Sequence, residues 1–303
     1  MASSFNADRV NFGFVHSFAA RQALSAQVGL VVQNPGAESF TVGGAAMGGT
    51  AATLGRTATS VTPIDAFSFE STYAHLHRVI PHVLPMDTLQ TDYALEKAGR
   101  DVAESIMADM DATFFAGLES LPSLAHPRAG AGAGQVGAGL KFVDTGLAYL
   151  QGEAGAGTQD NMLTSALSEA SLLSALKLLA NYKSDRGTPL HLGMGGPLTL
   201  VVAPKNMAVA HELTKSLLSG SDMQSNYFNG LLINTIVYPL ATDDDDWALI
   251  DPARAPIGMS ISKAPTMRVS VTTNGLFAEF TAEWSGAFFA APYEQGIVYS
   301  NVA

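Results

Sequence analysis

Histidine and aspartate residues are the side chains whose types and spacing could support chemistry. His75 and His77 lie two residues apart in a segment that alternates like a strand, so both face the same side, and His82 follows nearby. Two histidines on one face could bind a metal ion, but a zinc site needs further ligands and the sequence places none beside them. The pattern therefore favours an exposed or interfacial strand over a metal site.

Asp243 to Asp246 form a second candidate, because consecutive carboxylates could bind calcium. Dedicated calcium loops alternate their oxygen ligands along the chain and contain a glycine at the sharp turn, and this run has neither feature. A solvent-exposed acidic turn is the favoured interpretation, with calcium binding as the alternative.

Motifs typical of enzymes are missing from the sequence. There is no Gly-x-Ser-x-Gly, no dinucleotide-binding fingerprint and no His-Glu-x-x-His, since His211-Glu212 is not followed by a second histidine. The run 129–139, rich in glycine and alanine, lacks the Gly-Lys-Ser/Thr ending of a phosphate loop and is interpreted as a linker or turn. The chain has no cysteine, which excludes disulfides, thiolate metal ligands and cysteine nucleophiles. We expect no catalytic residue, cofactor or metal.

Composition and charge restrict the class of protein further. Of the 303 residues, 47% are hydrophobic and only 14% are charged, against about 25% in a typical protein. A folded protein with so few charges is expected to cover much of its surface with subunit interfaces. The net charge of −11 argues against nucleic-acid binding, which depends on Lys and Arg. The sequence has no secretory signal and no apolar run long enough to cross a membrane, so it predicts a soluble protein.

Residues 181–257 contain the clearest succession of predicted elements. The apolar, β-branched run Leu198–Val202 is followed by Pro204, which predicts a buried strand and then a helix that proline can open. Strands are predicted at Leu231–Tyr238 and Trp247–Ile250, and the acidic turn joins them. The helix between the first two strands has one apolar face, formed by Met207, Ala210, Leu213, Leu217 and Leu218.

Three short motifs occur in order between residues 185 and 252. They are an Asp-x-x-Gly-x-Pro-Leu turn (Asp185, Gly187, Pro189, Leu190), a Leu-Val-Val-x-Pro strand that enters a helix (Leu200, Val201, Val202, Pro204), and Trp-x-Leu-x-Asp-Pro (Trp247, Leu249, Asp251, Pro252). In this order they resemble the A-domain of tailed-phage major capsid proteins of the Hong Kong 97 fold. Within that fold the chain is most similar to Mu-like major head subunits.

The resemblance implies an α+β fold whose parts can be placed along the chain. They are an N-terminal arm (1–35), an extended E-loop β-hairpin (36–84), a P-domain with its spine helix and a Gly/Ala-rich loop (85–160, helix 87–118), an A-domain of a mixed sheet with helices (161–265), and C-terminal P-domain strands (266–303).

Hydrophobic periodicity fits these parts. Asp87 followed by Gln90 predicts a capped start for the spine helix. A second helix is predicted over Leu163–Tyr182, and a C-terminal hairpin is predicted to turn at Asn274-Gly275. The apolar positions expected to face inward on these helices are Leu95, Val102, Ile106, Met110, Phe114, Leu167, Leu172, Leu173, Leu176 and Leu179. The C-terminal strands are expected at Thr266–Val271 and Leu276–Phe289, with Trp284 and Phe288 in the core.

The E-loop is the part for which the resemblance implies contacts between subunits. Residues 41–56 are rich in Gly, Ala and Thr, which favours a flexible loop or hairpin tip, and Thr57–Val83 alternates like a strand. Because a hairpin without a third strand is marginally stable alone, a partner must order it. Candidate interface residues are Met47, Leu54, Arg56, Phe67, Phe69, His75 and His77. Residues 31–90 contain no lysine, so the lysine–asparagine cross-link that some family members form from this loop is excluded.

The function implied by the resemblance is structural. Copies of a major capsid protein would assemble as hexamers and pentamers into an icosahedral shell around double-stranded DNA, in the host cytoplasm, and would end in the virion. The implied partners are further copies, a portal, a decoration protein and a scaffolding protein. Because the chain begins almost directly at the arm, we expect scaffolding to be either a separate protein or a segment that this sequence does not include. An encapsulin-like nanocompartment shell is the alternative within the fold, and an α/β enzyme is the alternative outside it.

Overall fold

One long helix and two β-sheets organise the part of the chain that the computed structural model describes. These residues are 7–20, 24–47, 66–130, 135–149, 157–184, 187–193, 196–215, 218–219, 224–225, 227–273, 275–291 and 294–302. Their α-helices are α1 (Ala7–Ala20), α2 (Ser25–Val28), α3 (Asp92–Glu119), α4 (Glu169–Asn181) and α5 (Met207–Lys215), with 3-10 turns at Met86–Leu89, Pro204–Asn206, Tyr227–Gly230 and Pro252–Arg254. None of these helices combines the length and the apolar character needed to cross a membrane.

The strands, numbered along the described chain, form two larger sheets and three strand pairs. One sheet has the order β1-β13-β14-β4 and the other the order β11-β8-β12-β15-β7, while β2–β3, β5–β6 and β9–β10 pair in twos. Their bounds are β1 (Leu30–Gln33), β2 (Ser39–Met47), β3 (Ala66–Ala74), β4 (Leu76–Pro85), β5 (Leu147–Tyr149), β6 (Gly157–Gln159), β7 (Met162–Leu163), β8 (Leu198–Val202), β9 (Leu218–Ser219), β10 (Gln224–Ser225), β11 (Ile233–Val237), β12 (Trp247–Ile250), β13 (Ile257–Val271), β14 (Phe277–Ala290) and β15 (Ile297–Ser300).

Helix α3 corresponds to the predicted spine helix, but it begins at Asp92 and not at Asp87. The Thr91 hydroxyl accepts a hydrogen bond from the Ala94 N–H at 3.2 Å, so Thr91 is the N-cap. The predicted start at Asp87 was wrong because residues 86–89 form a separate 3-10 turn. The predicted apolar stripe is buried along the whole helix.

The four-stranded sheet packs against α3. β13 and β14 are antiparallel, and Gly275 in the turn between them has a φ of +70°, which glycine adopts without strain. On β14 the alternate residues Ala278, Phe280, Ala282 and Trp284 are fully buried. β13 begins at Ile257 and not at the predicted Thr266, because its first residues pair with the parallel strand β1. The predicted turn residue Asn274 lies outside the described residues.

The five-stranded sheet contains the predicted strand–helix–strand–strand unit. β8 and β12 have the predicted bounds, and β11 is shorter than Leu231–Tyr238. β15 pairs with β12, so Ile297–Ser300 belongs to this sheet and not to the P-domain strands predicted for all of 266–303. The error arose because the chain crosses between the sheets after β14.

Helices α4 and α5 pack against one face of the five-stranded sheet. The Ser168 hydroxyl accepts a hydrogen bond from Ser171 N–H at 3.2 Å, so α4 begins at Glu169 and not at the predicted Leu163. Leu173, predicted to face inward, is exposed because the buried stripe runs through Leu172, Ala175 and Leu179. Met207, at the first position of α5, is exposed as well.

The opposite face of this sheet packs on the C-terminal half of α3. The rings of Phe115 and Tyr238 stack with centroids 3.8 Å apart. One hydrophobic core therefore includes residues of α3 and of both sheets.

Helix α1, which belongs to the predicted N-terminal arm, lies directly on α3. Val10 and Phe14 are buried between the two helices. A Cβ at Gly99 would overlap the Val10 carbonyl oxygen, and one at Gly13 would overlap the Glu96 carbonyl oxygen. The two backbones therefore touch at these glycines.

Candidate functional site

The β2–β3 hairpin corresponds to the predicted E-loop. Its strands pair from Ser39↔Ala74 to Met47↔Ala66, and within the described residues no third strand joins them. The predicted extent of 36–84 was too long, because Leu76–Pro85 pairs with β14 in the four-stranded sheet. Residues 41–47, predicted as part of a flexible loop, are strand because they pair with β3.

The root of the hairpin is fixed to the four-stranded sheet. The rings of Phe40 and Tyr73 both contact Phe289, with centroids 4.7 Å and 6.5 Å away, and the Tyr73 hydroxyl donates to the Ala290 carbonyl at 3.3 Å. Burial raises the pKa of Tyr73, so this hydroxyl stays protonated as a donor. The hairpin is thus anchored at its base.

His75 lies between β3 and β4 and acts in this anchor, not in a metal site. Its Nδ1 lies 2.9 Å from the Ala37 carbonyl oxygen, and its Nε2 lies 2.9 Å from the Ser260 hydroxyl. Since a carbonyl can only accept, Nδ1 donates the proton and Nε2 accepts from the serine. Across the described residues, no three His, Asp or Glu side chains are placed to hold a metal ion.

His77 lies on the outer face of the four-stranded sheet. Its Nε2 is 3.5 Å from Glu283, which also pairs with Lys263 at 2.6 Å and with Arg268 at 3.4 Å. Hydrogen bonding to Lys263, together with the nearby positive charges, lowers the pKa of Glu283. The group is a surface ion-pair network.

The other candidate interface residues lie either on the β2–β3 hairpin or outside the described residues. Met47 and Phe67 are in β2 and β3, whereas Leu54 and Arg56 lie outside the described residues. Phe69 is only 8% exposed, so its side chain serves packing within its own chain. An interface role for the remaining candidates stays a prediction.

The acidic turn divides its carboxylates among separate structural roles. Asp243 accepts from the Asp245 N–H at 2.9 Å, and Asp245 pairs with Lys205 at 2.7 Å. Asp246 accepts from the Tyr299 hydroxyl and from the Val302 N–H, both at 2.7 Å. Burial raises the pKa of Asp246 although both hydrogen bonds oppose the shift. These diverging contacts favour the predicted acidic turn over calcium binding, although Asp246 is partly buried and not fully solvent-exposed as expected.

An exposed apolar stripe follows β4, an edge strand of the four-stranded sheet within the described residues. Val79, Pro81 and Val83 alternate outward along β4, and Phe277 lies beside Pro85 on β14. Val79 and Val83 are 50% and 56% exposed. Proline at an edge strand removes a donor that would otherwise invite further pairing. We call Val79, Pro81, Val83 and Phe277 the edge stripe.

Sequence reasoning missed a buried charged triad formed by His126, Arg128 and Glu294. Arg128 Nη2 donates to both Glu294 oxygens, at 3.1 Å and 3.0 Å, and His126 Nε2 lies 3.0 Å from Oε2. The side chains of His126 and Glu294 are fully buried. The sequence carried a signal, because Arg128 is the one Lys, Arg, Asp or Glu in residues 120–140 and Glu294 the one in 284–303. Their pairing across the chain could not be read from it.

The triad predicts a stability loss in acid. Burial alone would raise the pKa of Glu294, but the charge of Arg128 and the hydrogen bond from His126 outweigh it and lower the pKa to about 2. A carboxyl with a depressed pKa stabilises the fold above its unfolded value of 4.5 and loses that contribution as the pH falls towards 2. We expect the free energy of unfolding to fall by roughly 3 kcal/mol across this interval.

Denaturant titrations at a series of pH values measure this effect. Glu294→Gln should flatten the slope between pH 4.5 and 2, whereas Glu279→Gln, which changes an exposed carboxylate in β14, should leave it unchanged. Equal slopes for wild type and Glu294→Gln would contradict the assignment.

Comparisons with solved structures identify the fold of this chain. The asymmetric unit of the bacteriophage PhiM1 mature capsid aligns with a TM-score of 0.55 at 12% identity, over 90% of this chain and 85% of that chain. The capsid of Ralstonia phage GP4 aligns with a TM-score of 0.54 at 12% identity, over 88% and 85%. The chain has the Hong Kong 97-type capsid fold. The assignment of α3 as the spine helix, of the four-stranded sheet to the P-domain, of the five-stranded sheet to the A-domain and of β2–β3 to the E-loop stays a prediction.

Further comparisons show how much of the chain the structural similarity covers and whether the sequence shares it. A virus-like particle from Pyrococcus furiosus aligns with a TM-score of 0.52 at 12% identity, over 97% of this chain and 98% of its own. No protein-family model and no curated protein sequence matches the chain. The capsid fold is therefore recognised through structure at low sequence identity.

Proposed function

We propose that this chain is the major capsid protein of a tailed double-stranded DNA phage. Copies assemble as hexamers and pentamers into a closed icosahedral shell around the genome, and the protein has no catalytic role. The observation that carries the proposal is the E-loop hairpin, rooted at its base and joined by no third strand within the described residues.

The hairpin needs a partner to be stable in solution. An isolated two-stranded hairpin is marginally stable in water, and an unpaired strand edge invites pairing or covering. In a shell each hairpin would lie across a neighbouring copy, which would order it.

The edge stripe supports contacts between copies. Exposed apolar side chains grouped on one face mark interaction surfaces, whereas single ones need no explanation. The low charged fraction of 14% fits a subunit whose surface is largely covered by others.

The acidic character of the chain fits enclosure of DNA without binding it. A net charge of −11 gives the shell little affinity for phosphate, so DNA can be packaged and released. Such a shell would form in the bacterial cytoplasm with a scaffolding protein, a portal and a decoration protein. The three sequence motifs support Mu-like head subunits as the nearest group within this fold.

Removing the hairpin should abolish shell formation while leaving the subunit folded. Thr41 and Thr72 are direct cross-strand partners, so residues 42–71 can be replaced by Asn-Gly, a dipeptide suited to a two-residue turn. The anchor at Phe40, Tyr73 and His75 remains. We expect an unchanged helical circular dichroism signal and a hydrodynamic radius of small oligomers by light scattering.

A companion variant locates the contact within the hairpin. Met47 and Ala66 are also paired, so residues 48–65 can be replaced by the same dipeptide with both described strands kept. Wild-type assembly of this variant would assign the contact to the strands, and loss of assembly would assign it to residues 48–65. Shells of normal diameter formed by the variant that lacks residues 42–71 would contradict the E-loop assignment.

An encapsulin-like nanocompartment is the second candidate, favoured by the nearly full-length match in both directions to the virus-like particle chain. The two functions differ in content. Shells purified from the native source should contain double-stranded DNA, read from the absorbance ratio and nuclease digestion after opening. A protein cargo without DNA would favour the nanocompartment.

A further inference from the structure

Three passages of the chain connect the four-stranded sheet and α3 to the five-stranded sheet, and the buried triad joins two of them. The first runs from α3 to β7 and contains His126 and Arg128. The second, residues 251–256, joins β12 to β13. The third, residues 291–296, joins β14 to β15 and contains Glu294.

Backbone hydrogen bonds tie the second and third passages together. Asp251 N–H donates to the Gly296 carbonyl at 2.7 Å, and Ala291 N–H donates to the Pro256 carbonyl at 2.8 Å. We call this pair of passages the ribbon; Glu294 lies in the third passage, between the two hydrogen bonds, so release of Glu294 would let both bonds open more often.

The triad joins this ribbon to the first passage with a defined geometry. The Arg128 backbone N–H donates to His126 Nδ1 at 2.9 Å, so Nδ1 must be unprotonated. His126 is therefore the neutral Nε2–H tautomer and donates to Glu294. Arg128 supplies the single positive charge of the triad, which balances the carboxylate.

The apolar contacts between the two sheets restrict their relative orientation less than the triad does. Apolar burial is non-directional, so it selects one orientation of the five-stranded sheet on α3 less strictly than a directional polar contact does. A buried carboxylate that loses its cation and its hydrogen bonds is strongly penalised, so the triad tolerates far less displacement.

We propose that Glu294 is a positioning residue that fixes the five-stranded sheet against the four-stranded sheet by anchoring the ribbon to the first passage. Its consequence for assembly rests on the proposed shell function. A subunit whose two sheets sit at one angle presents its contact surfaces in one relative orientation, so loss of the triad should broaden the curvature of the shells.

The test separates positioning from mere stabilisation with a charge-free double variant, Arg128→Met with Glu294→Gln. Removing both charges leaves no buried unpaired ion, and the glutamine oxygen can still accept from His126. We expect the denaturant midpoint to stay near the wild-type value. Hydrogen exchange at the Asp251 and Ala291 amides should become at least roughly tenfold faster, while exchange in β8, inside the five-stranded sheet, should be unchanged.

A second variant keeps the charge and shortens the reach. Glu294→Asp retains the buried ion but cannot contact Arg128 and His126 in the same geometry, so faster exchange at the same two amides is expected. Wild-type exchange rates at these amides in both variants would overturn the positioning role.

Electron microscopy of the double variant tests the assembly consequence. We expect shells of mixed diameter where the wild type forms one size. Shells of one size together with faster exchange would overturn the link to curvature. Wild-type protein that forms no shell would overturn the proposed function, and the exchange measurement would still decide the role of Glu294.

Discussion

Replacing Gly99 by valine will separate α1 from α3 and lower the free energy of unfolding by at least about 3 kcal/mol. Any side chain at this position overlaps the Val10 carbonyl oxygen and comes within 2.8 Å of the Phe14 nitrogen. Both are backbone atoms, so no rotamer change can relieve the contact. Detachment of α1 exposes Val10 and Phe14, which are buried in the native subunit.

Gly99→Ala is a more discriminating test, because the higher helix propensity of alanine alone would raise the free energy of unfolding. Alanine favours a helix over glycine by about 1 kcal/mol, so a destabilised Gly99→Ala must owe its loss to the contact with α1. Gly196→Ala is the control, since apart from its chain neighbours no atom of the described residues lies within 4 Å of the position that its added methyl group would take. Thermal unfolding and limited proteolysis near residue 20 measure the outcome. A Gly99→Ala subunit more stable than wild type would contradict the helix contact.

Trp284→Ala is expected to cost about 4 kcal/mol, because it removes the largest side chain from the core between α3 and the four-stranded sheet. Trp284 is fully buried, and its indole N–H donates to Asp109 Oδ2 at 2.8 Å. Arg78 lies 3.7 Å from the same carboxylate. Removal leaves both a cavity and a carboxylate that has lost its indole donor.

One conservative variant separates the cavity from the lost hydrogen bond, and a second serves as its control. Trp284→Phe keeps most of the volume and loses the hydrogen bond, so we expect a smaller loss of about 2 kcal/mol. The chain has two tryptophans, so each single-tryptophan protein reports one core by fluorescence. Trp247→Phe, which removes the bond from Trp247 to the Ser165 carbonyl, is the matched control in the second core. Equal stability of Trp284→Ala and wild type would contradict the assigned core.

Local elements could be predicted where neighbouring residues determine them. The run Leu198–Val202 is strand because five mostly apolar residues end before a proline, and all five are buried. The spine helix was found from its apolar stripe, but its start was misplaced because Asp87 and Thr91 are both acceptable caps. Pro85 and the 3-10 turn after it settled the choice in favour of Thr91.

Features that depend on distant pairing could not be predicted. Ile297–Ser300 is an apolar strand by pattern, yet nothing local says that it pairs with β12 and not with β13. The buried triad brings together residues 166 positions apart. The hairpin was expected, but its second strand was placed too far along because β3 and β4 are separated only by His75.

Electron microscopy of the purified full-length protein, with light scattering on the same sample, tests the central claim most directly. The account predicts closed shells of uniform diameter, with rings of five and six subunits visible in class averages. A single small oligomer that forms neither rings nor shells, even after a scaffolding protein is added, would contradict it.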